Sequence, residues 1–213
     1  MPQPQPIVFV LDDERRVVMA LARMLRDSGF AVRCWTSPTE FLEAHDADTP
    51  GCLVTALRMA AMGGLELQRA LLARGRERAI VFMDGDGDIP TTVQAMKAGA
   101  VSCLSKPVRR EELLAAVQEA IVKDAYGRTQ HREREDVFRR LARLTPRERQ
   151  VLGLVATGML TKQIAAELGA AEKTIKVHRG RIMEKMQVRT ATALVGLLSR
   201  AAPRGDGGRL PLP

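Results

Sequence analysis

The first 122 residues repeat one unit five times, a short apolar run followed by an amphipathic stretch with helical spacing. The runs are brief and bounded by turn-forming residues, which is typical of buried strands rather than helices. Strict alternation of strand and helix predicts a parallel sheet covered by helices on both faces, because parallel neighbours must be joined by a crossover. The predicted strands are 7–11, 30–34, 52–55, 79–83 and 101–104.

Charged residues follow several of these predicted strands at their carboxyl ends. Asp12 and Asp13 come after the first strand, Asp84 after the fourth and Lys106 after the fifth, whereas the third strand leads into Ala56. In open parallel sheets, functional groups gather at this edge. The sequence therefore predicts that the three acids and the lysine share one cleft.

This arrangement resembles the receiver domain of two-component response regulators, and the resemblance spans residues 5–122. The segments Gly-Asp-Ile-Pro (87–90), Ala-Met-Lys-Ala-Gly-Ala (95–100) and Lys106-Pro107 are similar to the subfamily that includes FixJ and StyR. The resemblance implies an α/β, flavodoxin-like fold, with a five-stranded parallel sheet in the order 2-1-3-4-5.

The chain departs from the receiver pattern at the positions that carry its chemistry. In the family, an aspartate at the end of the third strand accepts a phosphoryl group from a histidine kinase beside Mg²⁺, and this position is Ala56. A methyl group is neither a nucleophile nor a metal ligand. The family's Ser or Thr after strand four is Asp84, and its aromatic switch residue on strand five is Cys103. The resemblance therefore implies a degenerate receiver that acts independently of conventional phosphorylation, so contact with a histidine kinase is not favoured.

Two alternatives remain open for the acidic cleft. The favoured interpretation is a fixed ion-pair network in which Lys106 and Arg58 neutralise the acids, and a residual Mg²⁺ site is the less favoured one. The second alternative is a conventional phosphorelay that uses Asp84, Asp12 or Asp13 as acceptor. No Ser/His/Asp set, Cys/His pair or phosphate-binding loop accompanies the acids, so we expect neither an enzyme nor a cofactor.

Positive charge is concentrated in the second half of the chain. Residues 1–120 carry 14 Lys and Arg against 16 Asp and Glu, whereas residues 121–213 carry 19 against 9, a net charge of +10. Such an asymmetry indicates a basic module attached to a near-neutral one. Charge alone does not decide between a partner such as double-stranded DNA and basic helices that merely keep the protein in solution.

Between the two halves, residues 123–143 contain no proline and are charged on every side around 130–136. A helix that is polar all round is typical of a solvent-exposed bridge between domains. We predict a helical linker that is broken or frayed at Gly127, because glycine is a weak helix former.

Residues 144–200 carry the signature of a helix-turn-helix. Thr145-Pro-Arg-Glu148 is a capping box, Thr161 is predicted to cap a short helix, and Gly169 precedes a second helix from about Glu172 to Met186. The outward face of this second helix carries basic residues and a small apolar group, which suit the major groove. The residues predicted to contact bases or phosphates are Lys162, Lys173, Thr174, Lys176, Val177, His178, Arg179, Arg181 and Lys185.

The segments 144–152, 162–169 and 173–179 closely resemble the LuxR-type DNA-binding domain. This resemblance implies an all-α domain of four helices, a sequence-specific transcription regulator, and pairing through the last helix. We therefore expect a homodimer on DNA with Leu194, Leu197 and Leu198 at the seam, and RNA polymerase is a further candidate partner.

Apolar runs, the N-terminal segment and the cysteines together predict the cellular compartment of the protein. No apolar run approaches the ~20 residues of a membrane helix, and the N-terminus lacks the basic and apolar regions of an export signal. Cys34, Cys52 and Cys103 are odd in number and never spaced Cys-x-x-Cys. We expect a cytoplasmic protein with reduced thiols, no membrane association and no metal, and with a disordered tail over 201–213.

Overall fold

The structure, a computed structural model, describes residues 5–75, 77–85 and 89–201. The chain divides into two compact units, residues 1–128 and 129–213. Apart from Ala201, the predicted disordered tail lies outside the described residues.

The first unit is built on a five-stranded parallel sheet in the order β2-β1-β3-β4-β5, which confirms the predicted topology. Its register aligns the ends of the strands, with Ala56 opposite Met83 and Asp84 opposite Ser105. The strands are β1 (Ile7–Leu11), β2 (Ala31–Trp35), β3 (Gly51–Ala56), β4 (Ala79–Asp84) and β5 (Ser102–Ser105). The helices between them are α1 (Arg15–Arg26), α2 (Pro38–Ala44), α3 (Gly64–Ala73) and α4 (Ile89–Lys97), and α5 (Arg110–Ala142) follows β5.

Alternate residues of the central strands face opposite layers, so the sheet carries one core on each side. One core joins Val8, Val10 and Val54 to α1 and α5, and the other joins Phe9 and Leu53 to α2 and α3. Strands β3 and β4 are buried along their whole length. This burial on both faces is why they appear in the sequence as continuous apolar runs rather than as alternating ones.

A buried polar cluster holds the loop that leads into β3, near the amino ends of the strands. The guanidinium of Arg78 donates to the carbonyl oxygens of Asp46 and Thr49 at 3.0 Å each and lies 4.5 Å from the centre of the Phe9 ring. Asp124 of α5 accepts the Gly51 N–H at 3.0 Å. Burial lowers the pKa of Arg78 to about 10 and raises the pKa of Asp124. The cluster attaches the middle of α5 to the receiver fold.

Helix α5 is continuous from Arg110 to Ala142, so the predicted break at Gly127 is wrong. Single glycines cost a helix only about 1 kcal/mol. Around this one, Asp124 is bonded to Gly51, and Arg128 donates to the Ala47 carbonyl at 2.6 Å. These contacts hold the helix on both sides of the glycine.

The second unit is a bundle of short helices that packs around the end of α5. They are α6 (Pro146–Ala156), α7 (Thr161–Glu167), α8 (Glu172–Met186) and α9 (Ala191–Ala201). Val137 of α5 and Leu144 lie in the same core as Leu152, Ile164 and Ile182. The last turns of α5 therefore belong to this unit, although the sequence placed them in a linker.

Two helix starts in this unit are set by side-chain hydrogen bonds. The capping box is confirmed, since Thr145 Oγ1 accepts the Glu148 N–H and a Glu148 carboxylate oxygen accepts the Thr145 N–H. The predicted cap at Thr161 is wrong by one position. Leu160 is the cap residue and Thr161 the first residue of α7, because Gln163 Oε1 accepts the Leu160 N–H at 2.8 Å.

Candidate nucleic-acid interface and receiver cleft

Helix α8 separates its residues into a buried face and a basic exposed face. Ile175, Ile182 and Met186 are buried in the core of the second unit. On the opposite side, Val177 is 47% exposed. The other exposed residues of α8 that were predicted to contact DNA are Lys173, Thr174, Lys176 and Arg181.

The turn of the helix-turn-helix is fixed by both backbone and side chain. Gly169 has a φ of +59°, a conformation that favours glycine, and it lies between α7 and α8. A guanidinium nitrogen of Arg147 in α6 donates to the Leu168 carbonyl at 2.8 Å. This hydrogen bond holds the end of α7 against α6, so α8 begins from a fixed position. Lys162 of α7 is exposed, as its predicted contact with DNA requires.

The amine of Lys185, which was predicted to contact a phosphate, is engaged within the second unit, and its contact with DNA stays a prediction. Lys185 Nζ lies 2.6 Å from a carboxylate oxygen of Glu148, which is buried, and 3.2 Å from the Arg143 carbonyl. Burial opposes ionisation of Glu148, but hydrogen bonds from Lys185 and Thr145 outweigh it and lower the pKa of this carboxyl. The structure therefore gives Lys185 a part in holding α8 against α6. This pair could not be predicted from local sequence patterns, because its members are 37 residues apart.

His178 and Arg179 occupy the border of the exposed face and are half-buried. Nδ1 of His178 is buried and makes no hydrogen bond within the part of the chain that the structure describes. Their contacts with DNA remain predictions.

The predicted pairing surface on α9 needs correction. Leu194 and Leu198 are 0% and 1% exposed and pack inside the core of the second unit. Their spacing is that of a helix stripe that faces its own domain, and a stripe of this kind cannot be told from a dimer seam by spacing alone. Leu197 is half-buried, and Val195 is 38% exposed.

The receiver cleft brings together the residues that the sequence predicted at the strand ends. Asp12 is fully buried, and one of its carboxylate oxygens lies 2.7 Å from Lys106 Nζ. Its other carboxylate oxygen accepts the Glu14 N–H at 2.9 Å. Asp13 is exposed and accepts the Ala60 N–H at 2.8 Å. The Lys106–Asp12 pair of the predicted network is therefore present, whereas Arg58 lies exposed in the loop after β3 and its share stays a prediction.

Ala56 forms the floor of the cleft and is 1% exposed. Asp84, at the end of the neighbouring strand, is 4% exposed, and its carbonyl oxygen accepts the Lys106 N–H at 2.7 Å. Within the described ranges, no group of three or more His, Cys, Asp and Glu side chains is arranged to hold a metal ion.

Cys103 lies on β5 beside α4, with its sulphur 3.7 Å from Thr92 Oγ1. Burial, together with the nearby charge of Asp84, raises the pKa of this thiol. The thiol form is therefore favoured, so the side chain acts as a small apolar group with a weak hydrogen bond.

Comparison with known proteins identifies both units. Residues 8–118 match the family model of the response regulator receiver domain, and residues 142–198 match that of the bacterial regulatory proteins of the luxR family. No helix in the described part of the chain has the length and apolarity to span a membrane.

Relatives match over nearly the whole length. The chain is 40% identical to the response regulator protein TodT of Pseudomonas putida, over 91% of this chain and 86% of TodT. It is 40% identical to the transcriptional regulatory protein FixJ of Azorhizobium caulinodans, over 97% and 98% of the two chains. The solved structure of the response regulator StyR is 43% identical, with a TM-score of 0.76 over 91% of this chain and 98% of that one. The chain therefore belongs to the response regulators that join a receiver domain to a LuxR-type DNA-binding domain, and it is a transcription regulator rather than an enzyme.

Proposed function

We propose that this protein is a sequence-specific transcription regulator whose receiver acts without aspartyl phosphorylation. The observation that carries the proposal is Ala56, which stands at the end of β3 where its family carries the acceptor aspartate. No nucleophilic atom occupies this position.

The surrounding groups support the same proposal. Lys106 Nζ is bound to Asp12 at 2.7 Å, so the cation that would meet a phosphoryl group is already paired. Asp84 would bring a second negative charge towards any phosphoryl group in the cleft. Near a protein surface, two like charges 4 Å apart repel by about 4 kcal/mol.

The cleft residues do not fit Mg²⁺, the metal that the family uses. Ala56 offers a methyl group in place of a carboxylate, and Asp12 is neutralised by Lys106. A hard divalent cation needs several free oxygen ligands. We therefore propose no metal-dependent step for this receiver.

The regulatory function of the protein would be carried out by its DNA-binding unit. We propose that α8 enters the major groove with Lys176, Val177 and Arg181 towards the base edges, and that Lys173 and Lys162 contact phosphates. We further propose that two copies bind together on DNA. With Leu194 and Leu198 buried, pairing through α9 would use its exposed side around Val195.

Phosphate transfer can be tested directly on the full chain. After incubation with acetyl phosphate and Mg²⁺, we expect no mobility shift on a phosphate-affinity gel and no mass increase of the intact protein. A conventional response regulator in the same buffer verifies that the reagent is active. A stoichiometric phosphoryl adduct that disappears in an Asp84→Asn, Asp12→Asn or Asp13→Asn variant would instead establish the conventional alternative.

A further inference from the structure

A groove runs along the second unit between the last turns of α5 and helix α9. Its volume is about 420 Å³, which lies within the range of roughly 300–1,000 Å³ typical of small-molecule sites. All of its lining residues belong to this one unit. They are Gln130, Glu133, Arg134, Asp136, Val137, Arg140, Leu197, Arg200 and Ala201.

The bottom of the groove is apolar. Val137 and Ala201 are buried, and Leu197 is half-buried beside them. A ligand that covered the exposed part of Leu197 would remove apolar surface from water, which is the general source of affinity in concave sites.

The sides of the groove carry three arginines, and these differ in whether their guanidinium groups already have partners. The guanidinium of Arg140 is engaged, since it donates to the Met186 carbonyl at 2.9 Å and pairs with Asp136. Arg134 differs, because its Nε is buried and has no hydrogen-bond partner among the residues that the structure describes. Arg200 is exposed on the α9 wall, and neither Arg134 nor Arg200 makes an ion pair in the described ranges.

The balance of charge in the groove favours an anion. Its acids are Glu133 and Asp136, and Asp136 is already paired with Arg139 and Arg140. Arg134 lines the groove, is half-buried and makes no ion pair among the described residues, so a carboxylate or sulphonate in the groove would give its guanidinium group an ionic partner. The planar guanidinium fits such a group with two parallel hydrogen bonds.

We propose that this groove binds a small organic anion that has an apolar body and a carboxylate or sulphonate group, with Arg134 as its anchor and Leu197 beneath the body. The site lies on the DNA-binding unit rather than on the receiver. It stands independently of how the receiver is regulated, so its failure would leave the proposed function intact.

The test is a fluorescence titration of the full chain with 8-anilinonaphthalene-1-sulphonate, an aromatic anion of suitable size. We expect saturable binding of one probe per chain at constant ionic strength. N-phenyl-1-naphthylamine, the analogue without the sulphonate, should bind at least about tenfold more weakly, because a charge-assisted hydrogen bond is lost. Equal affinity for the two probes would contradict an anion site.

Two arginine variants and one leucine variant test whether the probe binds in this groove. Arg134→Gln should weaken the anionic probe about tenfold, whereas Arg132→Gln, which removes the same charge from an exposed position of α5, should change its affinity less than twofold. Leu197→Trp fills the groove with apolar volume and should abolish saturable binding, with unchanged helical circular dichroism as the control for folding. Equal affinities for the two arginine variants would overturn the proposal. Saturation that occurs only after removal of residues 202–213 would also overturn it, since that segment would then be the occupant.

Discussion

On helix α8, two lysines nine residues apart have different tasks. Lys176 is exposed on the basic face, whereas Lys185 is bound to the buried Glu148. Both lysines carry the same charge, and only their surroundings distinguish a predicted base contact from a structural ion pair. Among the described residues Lys176 makes no hydrogen bond or ion pair, so its amine is available to an acceptor on DNA, whereas the amine of Lys185 would first have to leave Glu148.

This difference predicts opposite phenotypes for two alanine variants. Lys176→Ala should cost about 1–3 kcal/mol of binding free energy on a selected DNA site and relax the preference at one base pair, with no change in thermal stability. Lys185→Ala should lower the midpoint of thermal unfolding and leave the base preference unchanged. Fluorescence anisotropy with a selected and a scrambled duplex measures the first effect, and circular dichroism measures the second. Loss of base preference in Lys185→Ala alone would contradict these assignments.

At the scale of the helix, α6 depends on the carboxylate of Glu148. Its pKa is lowered from the ordinary value of 4.5, so its contribution to stability is complete above that value and is lost as the pH falls through the lowered pKa. Glu148→Gln should lower the free energy of unfolding by about 1–2 kcal/mol at pH 7. The difference from the wild-type protein should shrink as the pH falls from 5 to 3.

Chemical denaturation followed by helical circular dichroism across this pH range measures the effect. Glu167→Gln on α7 is the matched control, because Glu167 is exposed and should change stability by less than about 0.5 kcal/mol. A difference for Glu148→Gln that stayed constant with pH would show that the charge of this carboxylate contributes nothing.

The glycine of helix α5 should lower the stability of the protein. Gly127 is exposed within a continuous helix, and a Cβ added there would meet no atom within 4 Å. Gly127→Ala should therefore stabilise the protein by about 0.5–1 kcal/mol, because alanine loses less backbone entropy. Thermal unfolding of the two proteins measures the change. Destabilisation by alanine would mean that the chain bends at this residue in solution.

The sequence predicted elements well where local patterns decide them. The capping box at Thr145 and the bounds of α8 follow from hydrophobic period and cap residues, which are local. The strand order was instead implied by the resemblance to receiver domains. The continuity of α5 depends on Asp124 and Arg128, which bind a loop more than 70 residues earlier. The Glu148–Lys185 pair and the burial of Leu194 likewise depend on contacts that only the assembled bundle defines. In the cleft, strand ends could be placed together from the sequence, but the choice of Asp12 as the partner of Lys106 could not.

The two units of the molecule differ in which features of their families they retain. Helix α8 of the DNA-binding unit has a basic exposed face, whereas the receiver has the family's fold and, in the function proposed above, no acceptor carboxylate. In a working receiver, phosphorylation biases a two-state equilibrium, and it can do so only through different interactions with the two states. In the function proposed above, Ala56, Asp84 and Cys103 stand in place of the acceptor, the hydroxyl and the aromatic ring that the family uses for this purpose.

The most direct measurement is the affinity of the full chain for a selected duplex with and without beryllofluoride and Mg²⁺, at fixed salt and protein concentration. We expect the two dissociation constants to agree within twofold, and Ala56→Asp alone should not produce a full response, because Asp84 and Cys103 remain. A tenfold or greater gain in affinity of the wild-type protein with beryllofluoride would contradict a receiver that acts without aspartyl phosphorylation.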